Sequence, residues 1–588
     1  MKRIVKYPLM ISIFLLLIVS SCSDNFLTPE PRSFYAPENV YIDEAGFRSL
    51  VVTMSKNIKS EHYGDRNTMD NEYAMSDLGV PGAQANSVVK DFPQELTPSG
   101  DGGSHDFPGR LFNLSYNSIK NTNVLISRID EVQWDDEQVR NNLLASAYFY
   151  RAYWYYRLVN SYGDVPFIGE EITSPKLDFS THSRWTILDK IQEDLVWAVE
   201  WLPETADPGA ATKGAGNHLL AKVALANMDF DRAITAADRV INNSSYDLMR
   251  DRFGIDAGDP TRNVIWDLHR VDNINDPANT ETIFSVIDRF EDPEGAKTDG
   301  NRLPRVYNPA WTHSRSRDSE GNAGMVQSGP QYDTIFRGNA NVRPTPYYLY
   351  EIWDYNNDIR RSDENWIEWY EILYNNPESV DYGQPVDRSN YASAADTFQH
   401  SYSFPHYKTF VPEQDPAVDP RGGNGDTYIF RLAGTYLLRA EAYYWKNDLA
   451  SAADDLNEVR ERAGALTVSA NEVTLDFIFD ERARELFTEA PRHGEMVRAS
   501  YIMASNNIDG YNLENFSDNN WFYDRVMETN QFFQINFTWG QQSYTIAPHN
   551  ALWPIPEIVI TENTLGHINQ NEGYFGAERN EPPIESIE

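Results

Sequence analysis

The chain has 588 residues with 88 acidic against 50 basic side chains, and its net charge of −38 repels nucleic-acid phosphates and anionic lipid surfaces. Hydrophobic residues at 41% and aromatics at 13% supply a packed core, which excludes a disordered acidic tail. Cys22 is the one cysteine, so an intramolecular disulfide is excluded as well.

Cys22 closes the leader MKRIVKYPLMISIFLLLIVSSC. Lys2, Arg3 and Lys6 precede an apolar run over 9–19, and Ser20 and Ser21 stand directly before the cysteine. That is the layout of a secretory signal, and the run is shorter than the about 20 apolar residues needed to cross a bilayer. Val19-Ser20-Ser21-Cys22 resembles the lipobox of bacterial lipoproteins, in which the cysteine is lipidated and becomes the mature N-terminus. Residues 1–21 are therefore read as a signal peptide and Cys22 as a lipid tether. Burial of acyl chains is worth about 0.8 kcal/mol per CH₂, so two or more chains anchor stably. Loss of the leader's three cations takes the net charge from −38 to about −41.

After the tether, prolines at 29, 31 and 37 mark an extended lead-in. A first helix is predicted over 41–58. The Gly-, Asp-, Asn- and Pro-rich stretch 59–108 reads as a long loop region of the kind that carries function. Helical patterning then strengthens, with Leu111, Leu114, Ile119 and Leu125 in one helix. The next carries Leu144, Tyr148, Ala152, Tyr155 and Val159, and Gly163 sits where it should end. Further pairs lie in SRWTILDKIQEDLVWAVEWLP with NHLLAKVALANMDFDRAITAADRVI, and in YIFRLAGTYLLRAEAYYWKNDLASAADDLNEVRERAG. In the last, Asn447 or Asp448 caps the second helix and Gly464 ends it. Alanine-rich antiparallel pairs of this length resemble tetratricopeptide units, although their spacing is irregular. The predicted architecture is mainly α, a degenerate helical scaffold over 22–250 and 251–588 with an irregular, Trp- and Tyr-rich insertion over 251–426.

Four stretches in order resemble the SusD/RagB family of nutrient-binding outer-membrane lipoproteins. They are LLASAYFYRAYWYYRLVNSYGDVPFI, with its Tyr-Gly-Asp-x-Pro turn; NTETIFSVI, an Asn-x-Glu-x-Ile-Phe strand; the helix pair containing Arg439, Glu441, Asn457, Arg460, Arg462 and Ala463; and HNALWPIPEIVITENTLGHINQNEGY. One departure is Ala490-Pro491 before Arg492, where the family has Glu-Gly and where Pro491 would disturb a helix. Glu485, Glu489, Arg492 and Arg498 around it are read as a structural ion network.

The resemblance implies a SusD-like fold on the cell surface, anchored in the outer membrane by lipid. It implies a SusC-like TonB-dependent transporter as partner, an oligosaccharide or polysaccharide as ligand, and no chemistry and no cofactor. Peptide capture stays open within the family, as does a surface glycoside hydrolase or a purely structural adaptor outside it. No H-E-x-x-H or G-x-S-x-G motif is present, GAGN at 214–217 opens an ordinary helix, and no metal site is assigned. Asp354, Asn356 and Asp358 alternate as in a calcium loop, but Ile359 and Asn365 replace the required glycine and glutamate, so a solvated turn is read there.

Relatives in this family that bind starch contact it through two regions, here 61–108 and 291–346. The candidates are Arg66, Asp70, Tyr73 and Asp77 in the first, and Arg305, Tyr307, Trp311 and His313 in the second. Aromatic faces stack on sugar rings while Arg and Asp bond hydroxyls or carboxylates. Trp353, Trp366 and Trp369 are assigned to core packing.

Overall fold

A computed structural model describes residues 37–64, 67–83, 89–99, 107–354 and 357–587. Cys22 and its leader lie outside these residues. The described chain is mainly helical, as expected.

Helix α1 (Glu44–His62) starts where Asp43 accepts a hydrogen bond from the Gly46 amide at 2.9 Å. It buries Phe47, Leu50, Met54 and Ile58 at helical spacing. Helices α2 (Phe107–Arg128) and α3 (Glu137–Tyr162) follow. Most of α3 is buried on every side, which its run of apolar and aromatic residues without a polar face requires. Its two buried arginines are neutralised, Arg151 by Asp194 and Arg157 by Glu61 and Glu72. Gly163 ends the helix at φ 70°, a left-handed turn without steric cost for glycine.

Helices α4 (Arg184–Trp201), α5 (Lys213–Ala226) and α6 (Phe230–Ile241) pack in succession. Helix α6 lies on α7 (Leu432–Trp445), which pairs with α8 (Leu449–Arg462). Of the two residues predicted to cap α8, Asp448 does so, accepting from the Ser451 amide at 3.2 Å; Asn447 takes φ 60° instead. Helices α9 (Leu475–Leu486) and α10 (Arg492–Ser505) are separated at Pro491, and α11 (Trp521–Thr529) packs on α10.

Four strands, β1 (Gly79–Pro81), β2 (Thr282–Val286), β3 (Val342–Pro344) and β4 (Thr427–Arg431), form two antiparallel ladders, β1 with β3 and β2 with β4. Strand β1 and the short helix Thr68–Ala74, capped by Asn67, fall inside the stretch predicted as loop. Both are too short to show a period, and their shape is set by the elements they touch.

One hydrophobic core runs from Phe47 to Tyr574, joining residues from both sides of position 250. A second belongs to the insertion: Trp266, Tyr307, Trp311, Tyr348, Trp353 and Trp366 pack with Tyr73 and Phe487. The irregular segment is thus a compact layer with its own aromatic interior.

The ion network expected around Pro491 separates into three groups. Glu485 and Glu489 share Arg431, with Arg431 Nη1 2.6 Å from Glu485. Arg492 turns instead to Asp77, and Arg498 binds Glu441 at 2.6 Å.

Candidate functional site

The two regions expected to contact ligand are neighbours, because β1 and β3 place Val80 opposite Arg343. Most of the individual residues, however, face inward. Tyr307 is 1% exposed and Trp311 0%. The Tyr307 ring meets Tyr73 edge-on at 6.0 Å and interacts with Asp70 through its hydroxyl, while Trp311 Nε1 donates to the Phe336 carbonyl at 2.9 Å. Stacking on a sugar needs an open ring face, so Tyr307, Trp311 and Tyr73 are core residues, and Asp70 belongs to the same buried group.

Asp77 is also corrected to a structural role. Arg492 and Arg525 each donate through Nε to its carboxylate at 2.8 Å. Burial alone would raise the Asp77 carboxyl, but the two guanidinium groups hold it below the usual value. Arg305 is half-buried on the short helix Leu303–Tyr307, and Arg66 lies outside the described residues. His313 is exposed, its ring stacked on His400 with centroids 4.6 Å apart.

The aromatic surface lies further along the insertion. Residues 401–404 run extended, with an antiparallel bridge between Ile367 and Phe404. Tyr402 and Phe404 join the insertion core, while Ser401 and Ser403 hold a surface group. Arg388 donates through Nε to Ser401 Oγ at 3.0 Å and through Nη2 to the Ser401 carbonyl at 2.7 Å. Ser403 Oγ accepts from the Trp369 amide and the Tyr350 hydroxyl, both at 3.3 Å, and itself donates to Glu368. The Arg388 guanidinium lies over the Trp369 ring, 3.7 Å from its centroid. Tyr370 meets Trp369 edge-on at 5.6 Å and is 54% exposed.

Trp369 is not in the core expected for it with Trp353 and Trp366. Those two are buried, but the turn Trp369–Glu371, closed by a reciprocal Glu368 and Glu371 cap, carries Trp369 and Tyr370 to the surface. The signal was present: acids on both sides of a Trp-Tyr pair suit a solvated turn better than a core. Half-exposed rings beside a hydroxyl, a carboxylate and a guanidinium can stack on a pyranose and hydrogen-bond its hydroxyls. At the suspected calcium loop, Asp358 is held by Arg360, at 2.9 Å from Nε and 2.7 Å from Nη2. Asn356 lies outside the described residues. Among the described residues, no cluster of three or more potential metal ligands is present.

The profile of the SusD family matches residues 280–574, and a profile described as starch-binding associating with outer membrane matches 43–225. The chain belongs to the SusD family. SusD-like protein P25 of Formosa agariphila is 25% identical over 531 residues, covering 84% of this chain and 90% of that protein. The starch-binding protein SusD of Bacteroides thetaiotaomicron is 28% identical over a shorter stretch, 30% of this chain and 27% of its own. Surface glycan-binding protein A of Bacteroides thetaiotaomicron, solved with laminarihexaose, superposes with TM-score 0.61 over 90% of this chain and 99% of its own, at 17% identity. A laminarin-binding SusD-like protein does so with TM-score 0.57 over 91% of this chain and 100% of its own, at 20% identity.

The SusD motifs now have structural explanations. Glu281 of the Asn-x-Glu-x-Ile-Phe strand is fully buried between Arg431 and Arg462. Asp164 of the turn accepts from the Arg184 amide at 2.7 Å, and the Trp553 amide of the closing segment donates to the Ser161 carbonyl at 2.8 Å. These SusD signatures tie together segments that are distant in the chain or at its turns. Among the described residues, no helix is long and apolar enough to cross a membrane.

Proposed function

We propose that this protein captures oligosaccharides at the outer surface of the cell, held there by lipid on Cys22, and passes them to a TonB-dependent transporter without cleaving them. The observation that carries the reading is the outward group of Tyr350, Trp369 and Tyr370 braced by Arg388 and Ser403. In a family that includes starch- and laminarin-binding members, an exposed aromatic group with convergent polar side chains suits a sugar ring. His313 stacks on His400, the residue before Ser401, which holds Arg388. The SusD-family membership supports the outer-membrane location, the lipid tether and the transporter partner.

Titration of the mature chain, starting after Cys22, with a panel of oligosaccharides tests the binding, and analysis of the bound sugar tests for cleavage. Binding that Tyr370→Ala weakens, with the sugar recovered intact, supports the proposal. Cleavage that vanishes on loss of a carboxylate pair moves the protein to the hydrolases. In cells, Cys22→Ala releases a folded protein from the membrane fraction if the tether reading holds.

A further inference from the structure

We infer that the oligosaccharide taken by the Trp369 face carries an oxyanion, a uronate carboxylate or a sulfate ester, that docks on Arg388. The inference rests on the reading of Tyr350, Trp369 and Tyr370 as the glycan site and names the ligand class of that site.

In a chain with 88 acidic and 50 basic residues, a buried arginine normally finds a carboxylate, as Arg431, Arg462, Arg360 and Arg492 do here. Arg343, which is buried, and its half-buried neighbour Arg388 do not: among the described residues neither has an ion-pair partner. Arg343 is 7% exposed and donates through Nε to the Phe398 carbonyl at 2.8 Å, with its guanidinium 3.9 Å from the Tyr402 ring centroid. Among the described residues, Arg388 donates to Ser401 and to the Tyr350 hydroxyl. Of the carboxylates nearby, Glu371 accepts from the Glu368 amide at 2.6 Å, and two others are held by arginines. Glu368 takes Arg361 at 2.6 Å and the Ser403 hydroxyl, and Asp396 takes Arg315 at 3.1 Å and the Ser393 hydroxyl at 2.8 Å.

Arg388 on the Trp369 ring, and Arg343 buried behind it against Tyr402, therefore keep a positive charge that no carboxylate of the described residues pairs with. Burial draws Arg343 down to about 10 and lowers Arg388 as well, and the groups that oppose this are tyrosines and not carboxylates. An oxyanion on a sugar seated against Trp369 and Tyr370 supplies that counter-ion, and the planar fork of Arg388 suits either carboxylate or sulfate. A neutral glucan leaves the charge as it is.

The test uses the mature chain with tetragalacturonic acid, its methyl ester, a sulfated carrageenan tetrasaccharide and its desulfated counterpart, titrated calorimetrically at about 50 and 500 mM NaCl. The expected result is binding of one charged probe, weakened by salt, with the matched neutral probe weaker by about tenfold or more. Which probe binds identifies the oxyanion. Arg388→Met keeps the stem over Trp369 and removes the charge; it should erase the preference for the charged probe while circular dichroism reports an unchanged melt. Because the salt dependence is read on the wild-type chain, the inference stays testable if the variant fails to fold.

Equal affinity for charged and neutral probes, or binding of neither charged probe, overturns the inference. If a neutral sugar binds and Tyr370→Ala weakens it, the face stands and only the charge requirement falls. If Tyr370→Ala leaves every bound sugar unaffected, the face itself is misassigned.

Discussion

The guanidinium of Arg388 sits over the ring of Trp369, 3.7 Å from its centroid, while its Nε and Nη2 are tied to Ser401. The pair is braced from below by an extended segment whose alternate residues, Tyr402 and Phe404, are fixed in the insertion core. A surface aromatic held in this way loses little side-chain freedom on binding, which is the condition for an effective contact.

Tyr370 projects beside this pair and is 54% exposed, so Tyr370→Ala should change stability by no more than about 0.5 kcal/mol. Glycan affinity should fall by about 2 kcal/mol if the ring stacks on a sugar, the scale of a binding hot spot. Calorimetric titration and a thermal melt on the same sample measure both quantities. An unchanged affinity counts against the site.

Trp311 gives the opposite pattern. It is fully buried, and Trp311→Ala should destabilise the protein by about 3–5 kcal/mol through the cavity it leaves. Glycan affinity measured well below the melting temperature should stay the same. A mild stability change together with lost binding would return Trp311 to the ligand site.

Asp77 and Glu44 compare ion pairs with similar contacts and different burial. Asp77→Asn leaves Arg492 facing an amide in a fully buried site and should cost about 3–5 kcal/mol. Glu44→Gln removes a pair with Arg48 at 2.6 Å in which both side chains are at least half exposed, and should cost well under about 1 kcal/mol. Urea titrations of the two variants decide; similar losses would contradict the burial argument.

Burial lowers several histidines, His62, His269, His400 and His493 to about 4 and His406 to about 3, from an ordinary value of 6.5. Below that ordinary value the unfolded chain takes up protons that the native chain refuses, so stability is whole above pH 6.5 and falls as the pH drops toward 4. Each histidine contributes a slope of about 1.4 kcal/mol per pH unit inside this window. The urea midpoint should drop clearly between about pH 7.5 and pH 5.5, a range above the ordinary carboxylate titration. A midpoint that is flat over this range would show these imidazoles already protonated in the native protein.

Much of the scaffold was legible because helices announce themselves locally. Asp448 before α8, Gly163 after α3 and Pro491 between α9 and α10 act within a few residues of where they stand in the chain. The family motifs were legible for a related reason. Glu281, Asp164 and Trp553 fill fixed places at joints between segments, where few other residues fit.

The sequence by itself therefore determined the helical scaffold, the position of the aromatic insertion and the SusD family. Only the tertiary structure decided which aromatics are walls and which are surface. Tyr307 and Trp311 sit among cationic residues that suggest a ligand site, yet both rings are buried against Tyr73, Tyr332 and Phe487. Trp369 follows two core tryptophans in sequence and nevertheless turns outward on Ser403. In irregular backbone, side-chain direction has no period to read. It is set by distant partners, and Ser403, 34 residues from Trp369, meets it only once the insertion has folded onto its own core.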